Sequence, residues 1–275
     1  MGVTVITGAS SGIGAAAAMQ LTGRGRRVLI TGRTPAKLRV VHRQLVAAAP
    51  PGLVVPEPVQ ADLADVDEVR RLARHIMDHH ADLDVLANNA AAQPSRREES
   101  ADGFELGLAV NHLAPFLLTN MLAELIEANA GRVVNTSSSS HAKGSIQFDD
   151  LQMTKQWSSS KSYGRSKLAN ILFTAQLLER TKLPASSFHP GAISTDINRD
   201  SPFVRIVKPF ERFFLGTPEQ GAETLVWLAE DAEGAAPKAV YYADRKPADI
   251  SPAGRDTRVA ARLWDVSADL TGLAG

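Results

Sequence analysis

Cysteine is absent from the 275 residues of this chain. The absence excludes a disulfide framework, a thiol nucleophile and a cysteine-based zinc site, and it suits a reducing cytoplasm. An excess of either charge is also missing, because 30 Lys and Arg residues balance 30 Asp and Glu residues. Without a basic field to condense on phosphate groups, the chain is not expected to bind nucleic acid.

Long apolar runs and targeting segments are missing as well. The chain contains no stretch of about 18 consecutive apolar residues of the kind that spans a bilayer. It begins MGVTVITG, directly in an apolar strand, without the features of a signal peptide. We therefore expect a soluble, cytoplasmic protein with no membrane span.

Short β-branched runs alternate with longer segments of helical spacing along the whole chain. The predicted strands are 3–7, 27–31, 53–59, 83–87, 132–136, 185–189 and 239–242. The predicted helices are 13–24, 35–48, 66–79, 102–129, 160–180, 218–231 and 255–270. This alternation predicts an α/β fold, a doubly wound parallel sheet of about seven strands between two helical layers. No linker or repeat divides residues 1–275, so we expect one domain.

A glycine-rich turn joins the first strand to the first helix. It reads Thr7-Gly8-Ala9-Ser10-Ser11-Gly12-Ile13-Gly14. Glycines in this context permit a tight turn and a close approach of backbone N–H groups to a pyrophosphate at a helix N-terminus. The turn therefore predicts a dinucleotide site that includes Gly8, Ser10, Ser11, Gly12, Ile13 and Gly14.

The second strand ends Thr31-Gly32-Arg33, where an NAD-selecting site would offer Asp or Glu to the ribose hydroxyls. Arg33 would instead meet a 2′-phosphate, and Lys37 one helical turn later would add charge. We therefore expect NADP(H) as the cofactor. A solvated arginine at a strand end is the alternative interpretation.

Tyr163 and Lys167 lie four residues apart on a predicted helix and therefore share one face. An ammonium about 4 Å from the phenol would lower its pKa by about three units at an effective dielectric constant of about 20. That would bring the phenol towards neutrality, where a proton donor and acceptor works best. Tyr and Lys residues four apart also occur by chance on the surfaces of many helices. This pair therefore indicates a catalytic site only in combination with the other motifs.

Further motifs accompany this pair. They are Asn88-Asn89-Ala90, Asn111, Ser138, and His189-Pro190-Gly191 with Thr195. Together with the glycine turn they resemble the short-chain dehydrogenase/reductase family. Stretches similar to its retinol-dehydrogenase-like and protochlorophyllide-reductase-like group are GSIQFDDL at 144–151, SKLAN at 166–170, TPEQGA at 217–222 and LWDVS at 263–267. The resemblance covers essentially the whole chain and implies a Rossmann-type fold and a nicotinamide-dependent carbonyl reductase or alcohol dehydrogenase.

The resemblance also implies catalytic roles. Tyr163 is the implied acid/base, and Lys167 its pKa-lowering partner and ribose ligand. Ser138 is the implied carbonyl polariser, and Asn111 part of a proton relay through water. Ser138 lies within four consecutive serines, 137–140, and Ser137 and Ser139 stay open as alternatives.

Further cofactor contacts are implied by the resemblance. Asp62 and Leu63 would contact the adenine, Asn88 and Ala90 would line the cofactor, and Thr195 would hold the carboxamide. Pro190 and Gly191 belong to the same predicted wall, along with Tyr163 and Lys167.

A substrate lid is expected at about 195–217, where the resemblance places it. Its apolar residues are spaced by three, four and seven and predict an amphipathic helix. They are Phe203, Ile206, Val207, Phe210, Phe213 and Phe214. This face would close over a bulky lipophilic or aromatic carbonyl compound; packing on the core or on a partner subunit and adsorption to a membrane surface are the alternatives.

Other residues suggest little additional chemistry. His75 and His79 are spaced as metal ligands can be, but no third ligand has suitable spacing, so we expect no metal. His141 could touch substrate, and His189 supports the turn before Pro190.

The leading functional expectation is an NADPH-dependent oxidoreductase with a small lipophilic substrate; a homodimer is compatible with it. A non-catalytic nucleotide sensor should have lost Tyr163 or Lys167, and neither is lost. Epimerisation or dehydration with a bound cofactor stays open, because fold and site do not fix the net reaction.

Overall fold

The computed structural model of the chain describes residues 2–191 and 216–273. The strands are β1 Val3–Ile6, β2 Arg27–Gly32, β3 Val59–Gln60, β4 Leu83–Asn88, β5 Arg132–Thr136, β6 Ala185–His189, β7 Tyr241–Ala243 and β8 Lys246–Pro247. The helices are α1 Gly12–Gly23, α2 Pro35–Ala48, α3 Val66–His79, α4 Leu106–Ala128, α5 Ser159–Arg180, α6 Pro218–Glu230, α7 Ala232–Ala235 and α8 Thr257–Thr271.

The eight strands form one sheet in the order β3-β2-β1-β4-β5-β6-β7-β8. Strands β1 to β7 pair in parallel, and β8 is antiparallel to β7. The chain winds outwards from β1 in both directions, so the strand order reverses between β1 and β4. In such sheets the crevice at the carboxyl ends of the strands beside the reversal is where ligands bind.

Apolar residues cover both faces of the sheet. One buried cluster joins the sheet to α3, α4 and α5 through residues such as Leu72, Phe116 and Phe173. The other joins it to α1, α2 and α6 through residues such as Leu21 and Leu225. The predicted three-layer α/β/α architecture is confirmed.

Two strands differ from their predicted form. Strand β3 has only two residues where seven were predicted, because Pro56 and Pro58 lack the N–H groups that a ladder needs. Strand β8 was not predicted. Its hairpin turns through Asp244 and Arg245, which have φ values of 49° and 59°. A two-residue turn of this kind usually carries Asn-Gly or Asp-Gly, so the sequence gives no signal for it.

Helix α4 starts at Leu106 rather than at the predicted residue 102 and contains a π-helical segment, Ala109–Leu113. By length and composition it is the one helix of the described residues that could cross a membrane. However, 72% of its most apolar window is buried within the structure. The amphipathic helix α8 contributes to this burial, because the Trp264 ring lies 5.0 Å from that of Phe116 on α4. The apolar character of α4 therefore fits a core helix.

Candidate active site

The glycine turn lies at the carboxyl end of β1, beside the reversal of strand order. Gly8 and Gly12 have φ values of 67° and 59°, in the left-handed region that residues with a Cβ rarely adopt. A Cβ on Gly8 would lie 2.6 Å from Ala90 Cα, and one on Gly14 would lie 2.5 Å from Asn89 Nδ2. The glycines are therefore required for the turn itself and for its close contact with the segment after β4.

The first backbone N–H groups of α1 are available to an anion. Ser11, the N-cap residue, is exposed and makes no side-chain capping hydrogen bond, and the first turn contains no acidic residue. Ser10 is half-buried beside it, and Ile13 is buried. A helix N-terminus with free N–H groups favours a phosphate. These residues therefore fit the pyrophosphate of a dinucleotide.

Arg33 and Lys37 are both exposed, immediately after β2 and in the first turns of α2. No acidic side chain among residues 2–191 and 216–273 forms a salt bridge with either one. Both cations are placed next to the glycine turn by the pairing of β1 with β2. They fit the 2′-phosphate predicted for NADP(H).

The Thr7 hydroxyl shapes the segment that follows β4. Its Oγ1 accepts hydrogen bonds from the N–H groups of Asn89, at 3.0 Å, and Ala90, at 3.1 Å. Asn88, the last residue of β4, stays a predicted cofactor-lining residue. Its side chain is buried and donates to Thr119 Oγ1 and to Asn135 Oδ1, both at 2.9 Å. Any contact of Asn88 with the cofactor must therefore come from its backbone.

The remaining predicted cofactor contacts lie at the same edge. Asp62 is half-buried and its carboxylate accepts from the N–H of Ala64 at 3.0 Å. The Leu63 side chain is part of the core, so its adenine contact is limited to exposed atoms or backbone. Pro190 and Gly191 follow β6, and Gly191 has a φ of 88°. Thr195 and the proposed lid residues lie outside the described residues.

Ser138 and Tyr163 meet at the carboxyl end of β5. Burial raises the pKa of the Tyr163 phenol, and the Ser138 side chain, which lies beside it, acts in the opposite direction and lowers it. Ser138 Oγ also accepts from the N–H of Ser140 at 3.2 Å. The phenol and the hydroxyl can therefore act on one substrate oxygen.

The neighbouring serines have different environments. Ser137 is fully buried, and its Oγ donates to the backbone oxygen of Lys167 at 2.8 Å. Ser139 is exposed and begins the short 3-10 helix Ser139–Lys143. The geometry therefore favours Ser138 among the three candidates.

Lys167 is fully buried one helical turn after Tyr163. Its Nζ donates to the backbone oxygen of Thr136 at 3.0 Å and lies 5.3 Å from the centre of the Tyr163 ring. Burial lowers the pKa of Lys167 to about 7 and raises the pKa of Tyr163. Burial thus acts on the phenol pKa in the opposite direction to the effect expected of Lys167, and that effect stays a prediction. Removal from water disfavours the charged forms of both groups.

The lysine pKa makes the stability of the protein depend on pH. Between about pH 7 and pH 10 the unfolded chain keeps the Lys167 proton that the folded chain has lost. Stability therefore rises with pH in this window, by at most about 1.4 kcal/mol per pH unit. We expect the free energy of unfolding of nucleotide-free protein to rise more steeply than that of Lys167→Met. Denaturant titrations at several pH values measure both slopes, and parallel slopes would contradict a depressed lysine pKa.

Comparisons with known proteins agree with this geometry. The sequence profile described as short chain dehydrogenase matches residues 2–202. The chain belongs to the short-chain dehydrogenase family. A relative described as a daunorubicin C-13 ketoreductase, from Streptomyces sp. (strain C5), is 38% identical over 98% of this chain and 92% of its own length. Retinol dehydrogenase 11 of Homo sapiens is 37% identical over 98% of this chain and 86% of its own length.

A solved structure of the same family adds information on the cofactor. A metagenomic short-chain oxidoreductase in complex with NADP aligns with a TM-score of 0.64 and 26% identity, over 90% of this chain and 98% of its own. The predicted resemblance to the retinol-dehydrogenase-like group of this family is confirmed. The family uses a nicotinamide cofactor.

Asn111 occupies the π-helical segment of α4, a kind of distortion that is frequent at functional sites in proteins. Its Oδ1 accepts from the N–H of Ala92 at 2.6 Å, and its Nδ2 donates to the backbone oxygen of Ala92 and to Ser166 Oγ. Ser166 in turn donates to the backbone oxygen of Tyr163. Asn111 thus connects α4 to the catalytic helix of this dehydrogenase, and its role in a relay stays a prediction.

His141 is a support for Ser138 rather than a substrate contact. Its Nε2 accepts from the N–H of Ser251, so its Nδ1 carries the proton and donates to the backbone oxygen of Ser138 at 2.7 Å. Its ring meets that of Tyr241 edge-on at 4.9 Å. Both ring nitrogens are therefore used inside the protein.

Sequence reasoning missed Tyr241, which lies on β7. Burial and the neighbouring Tyr163 raise the pKa of Tyr241 to about 12, so a second, neutral phenol lies beside the first. It is the first residue of β7 and lies inside the predicted strand 239–242, so membership of a strand was its only signal in the sequence. His75 and His79 stack at 4.4 Å, and the described residues contain no group of three ligands suited to a metal.

Proposed function

We propose that this short-chain dehydrogenase transfers hydride between NADPH and a lipophilic or aromatic carbonyl compound, or the corresponding alcohol. The observation that carries the proposal is the placement of the Ser138 side chain beside the Tyr163 phenol, with the Nζ of the buried Lys167 side chain 5.3 Å from the centre of the phenol ring. A nucleotide sensor has no need of this arrangement. Catalysis of a redox reaction therefore accounts for this arrangement better than nucleotide sensing does.

The cofactor, when bound, supplies or accepts the hydride. The chain's residues handle the proton and the developing charge at the substrate oxygen. Ser138 donates a hydrogen bond to that oxygen, and Tyr163 donates the proton that converts it to an alcohol. Because burial raises the pKa of Tyr163, the phenol is held in its neutral, proton-donating form at neutral pH.

The substrate class is proposed from the relatives and the sequence. Retinol and daunorubicin, which appear in the names of the relatives, are both large molecules with extended apolar or aromatic parts. The phenylalanine-rich stretch at 195–217 provides the apolar residues that such a compound would contact. Small polar carbonyl compounds would make few contacts with these apolar residues.

Absorbance measurements test the function directly. Purified protein and NADPH are incubated with a panel of lipophilic aromatic ketones and aldehydes, with small polar ketones as controls. We expect loss of NADPH absorbance with at least one bulky compound. Binding of NADPH without oxidation by any compound would favour a sensor, and conversion of a substrate without net NADPH loss would favour epimerisation or dehydration.

Cofactor preference depends on Arg33 in this proposal. A hydrogen bond to a charged group contributes about 1.5 to 3 kcal/mol, so the wild type should prefer NADPH over NADH by roughly 10- to 150-fold. Arg33→Asp should narrow or reverse this preference. The matched control is Arg43→Asp, which makes the same charge change at an exposed position further along α2.

Dissociation constants from fluorescence titration measure the preference for each variant. The control should keep the wild-type preference. Equal affinity of the wild type for both cofactors would contradict the assignment of Arg33.

A further inference from the structure

The Glu105 carboxylate is fully buried at the start of α4 and accepts four hydrogen bonds. Its Oε1 accepts from Trp157 Nε1 at 2.9 Å and from Ser162 Oγ at 2.8 Å. Its Oε2 accepts from the N–H of Leu108 at 2.8 Å and from Arg165 Nη2 at 2.6 Å. We call these residues the Glu105 cluster. They come from α4, from α5 and from the segment before α5.

That segment, residues 144–158, is called the insert. Arg165, itself buried, also donates to the backbone oxygen of Leu151 in the insert. Gln152 Oε1 accepts from the N–H of Glu105 at 2.7 Å. With Trp157, three residues of the insert are thus bonded to one buried ion pair.

The cluster is directly adjacent to the reacting groups. Ser162 and Arg165 belong to the same turn of α5 as Tyr163, and they face α4 while Tyr163 faces Ser138. Fixing one face of this turn fixes the rotation of the other, because a helix turns as a unit. The insert joins the Ser138 segment to α5, so it holds the two partners at a set separation.

We propose that Glu105 and Arg165 are positioning residues that set the geometry between Tyr163 and Ser138 and fix the insert. The proposal rests on the oxidoreductase function proposed above. It goes beyond that function by assigning a role to two residues that touch neither the cofactor nor the reacting atoms.

Stability alone gives a poor account of this ion pair. A buried pair loses its hydration, and apolar residues of similar volume often stabilise a core equally well. What such a pair adds is directional geometry, since each oxygen has donors at defined positions. The site also leaves no room for adjustment, because a Cβ on Gly107 would lie 2.5 Å from Ser162 Oγ.

The test compares Glu105→Gln with a matched control, Asp84→Asn. Gln has one acceptor oxygen, and its amide would face N–H donors, so the cluster loses hydrogen bonds without losing volume. Asp84 pairs with the largely buried Arg26 at 2.6 Å near the start of β4, at the opposite edge of the sheet from the site. Both substitutions break a buried or partly buried ion pair, but only one pair adjoins Tyr163.

We expect Glu105→Gln to lower kcat by about 10- to 100-fold, as misplacement of reacting groups by about 1 Å does. The Michaelis constant for NADPH should change much less than kcat, because none of the residues of the Glu105 cluster is among the predicted cofactor contacts. Asp84→Asn should lower the melting temperature and leave kcat unchanged. Equal loss of kcat in both variants at equal loss of melting temperature, or full kcat in Glu105→Gln, would overturn the proposal.

Hydrogen exchange provides a readout that needs no turnover and so separates this proposal from the proposed function. Backbone N–H groups of the insert and of the Tyr163 turn should exchange faster in Glu105→Gln than in the wild type or in Asp84→Asn. Unchanged exchange there would overturn the proposal even for an active enzyme. If Glu105→Gln does not fold, Trp157→Phe removes one donor and keeps the ion pair. It should then speed exchange in the insert and lower kcat, and an unchanged result in both measurements would overturn the proposal.

Discussion

Tyr163→Phe is expected to lower kcat by about 10²- to 10⁴-fold, the usual contribution of a positioned acid or base. The substitution removes one hydroxyl and leaves the ring, so the position of Lys167 Nζ over the ring face is retained. Steady-state NADPH oxidation with the best carbonyl substrate measures the loss.

Two controls separate a chemical from a structural effect in this variant. The dissociation constant for NADPH and the melting temperature should both stay close to those of the wild type, because the half-buried ring keeps its packing. A variant that retained about a third of wild-type turnover would contradict the assignment, because that loss is far below the range for a proton donor.

Ser138→Ala is expected to lower kcat by about 10²- to 10³-fold, the effect of removing one donor to a developing oxyanion. Ser138 lies beside the Tyr163 phenol and lowers its pKa against the larger effect of burial, so the variant loses both the donor to substrate and a neighbour of the acid. Steady-state NADPH oxidation measures the kcat of this variant.

Ser139→Ala is the matched control, because Ser139 is exposed and adjacent in sequence. Ser139→Ala should have a kcat close to that of the wild type. Loss of activity in Ser139→Ala with an active Ser138→Ala would show that the register of the serine run is displaced by one residue.

Much of the secondary structure could be predicted from the local pattern of apolar and polar residues. Helices α2 and α3 have the predicted bounds, and β5 and β6 also agree with prediction. Pattern is informative here because the side-chain periods of helix and strand are local properties of the chain. The prediction was weaker for the edge strands β3 and β8, whose pairing depends on partners and turns rather than on periodicity.

The sequence also identified the glycine turn and the face shared by Tyr163 and Lys167, because backbone freedom and a four-residue spacing act within a few residues. The hydrogen-bond partners of the Asn88 side chain and the effect of burial on the pKa of Tyr163 could not be predicted from the sequence. Where the Asn88 amide points depends on Thr119 and Asn135, which lie 31 and 47 residues away along the chain. The pKa of Tyr163 depends on how much water the fold removes, which a spacing does not express.

The sequence by itself determined the order of the first seven strands and of the long helices, the dinucleotide turn and the family to which the chain belongs. Only the tertiary structure decided which serine meets the phenol, that His141 supports Ser138, and that Glu105 and Arg165 form a buried pair beside the site. These last two are 60 residues apart in the chain and 2.6 Å apart in space. Local conformation follows from neighbouring residues, whereas burial and side-chain partners exist only once distant segments have packed together.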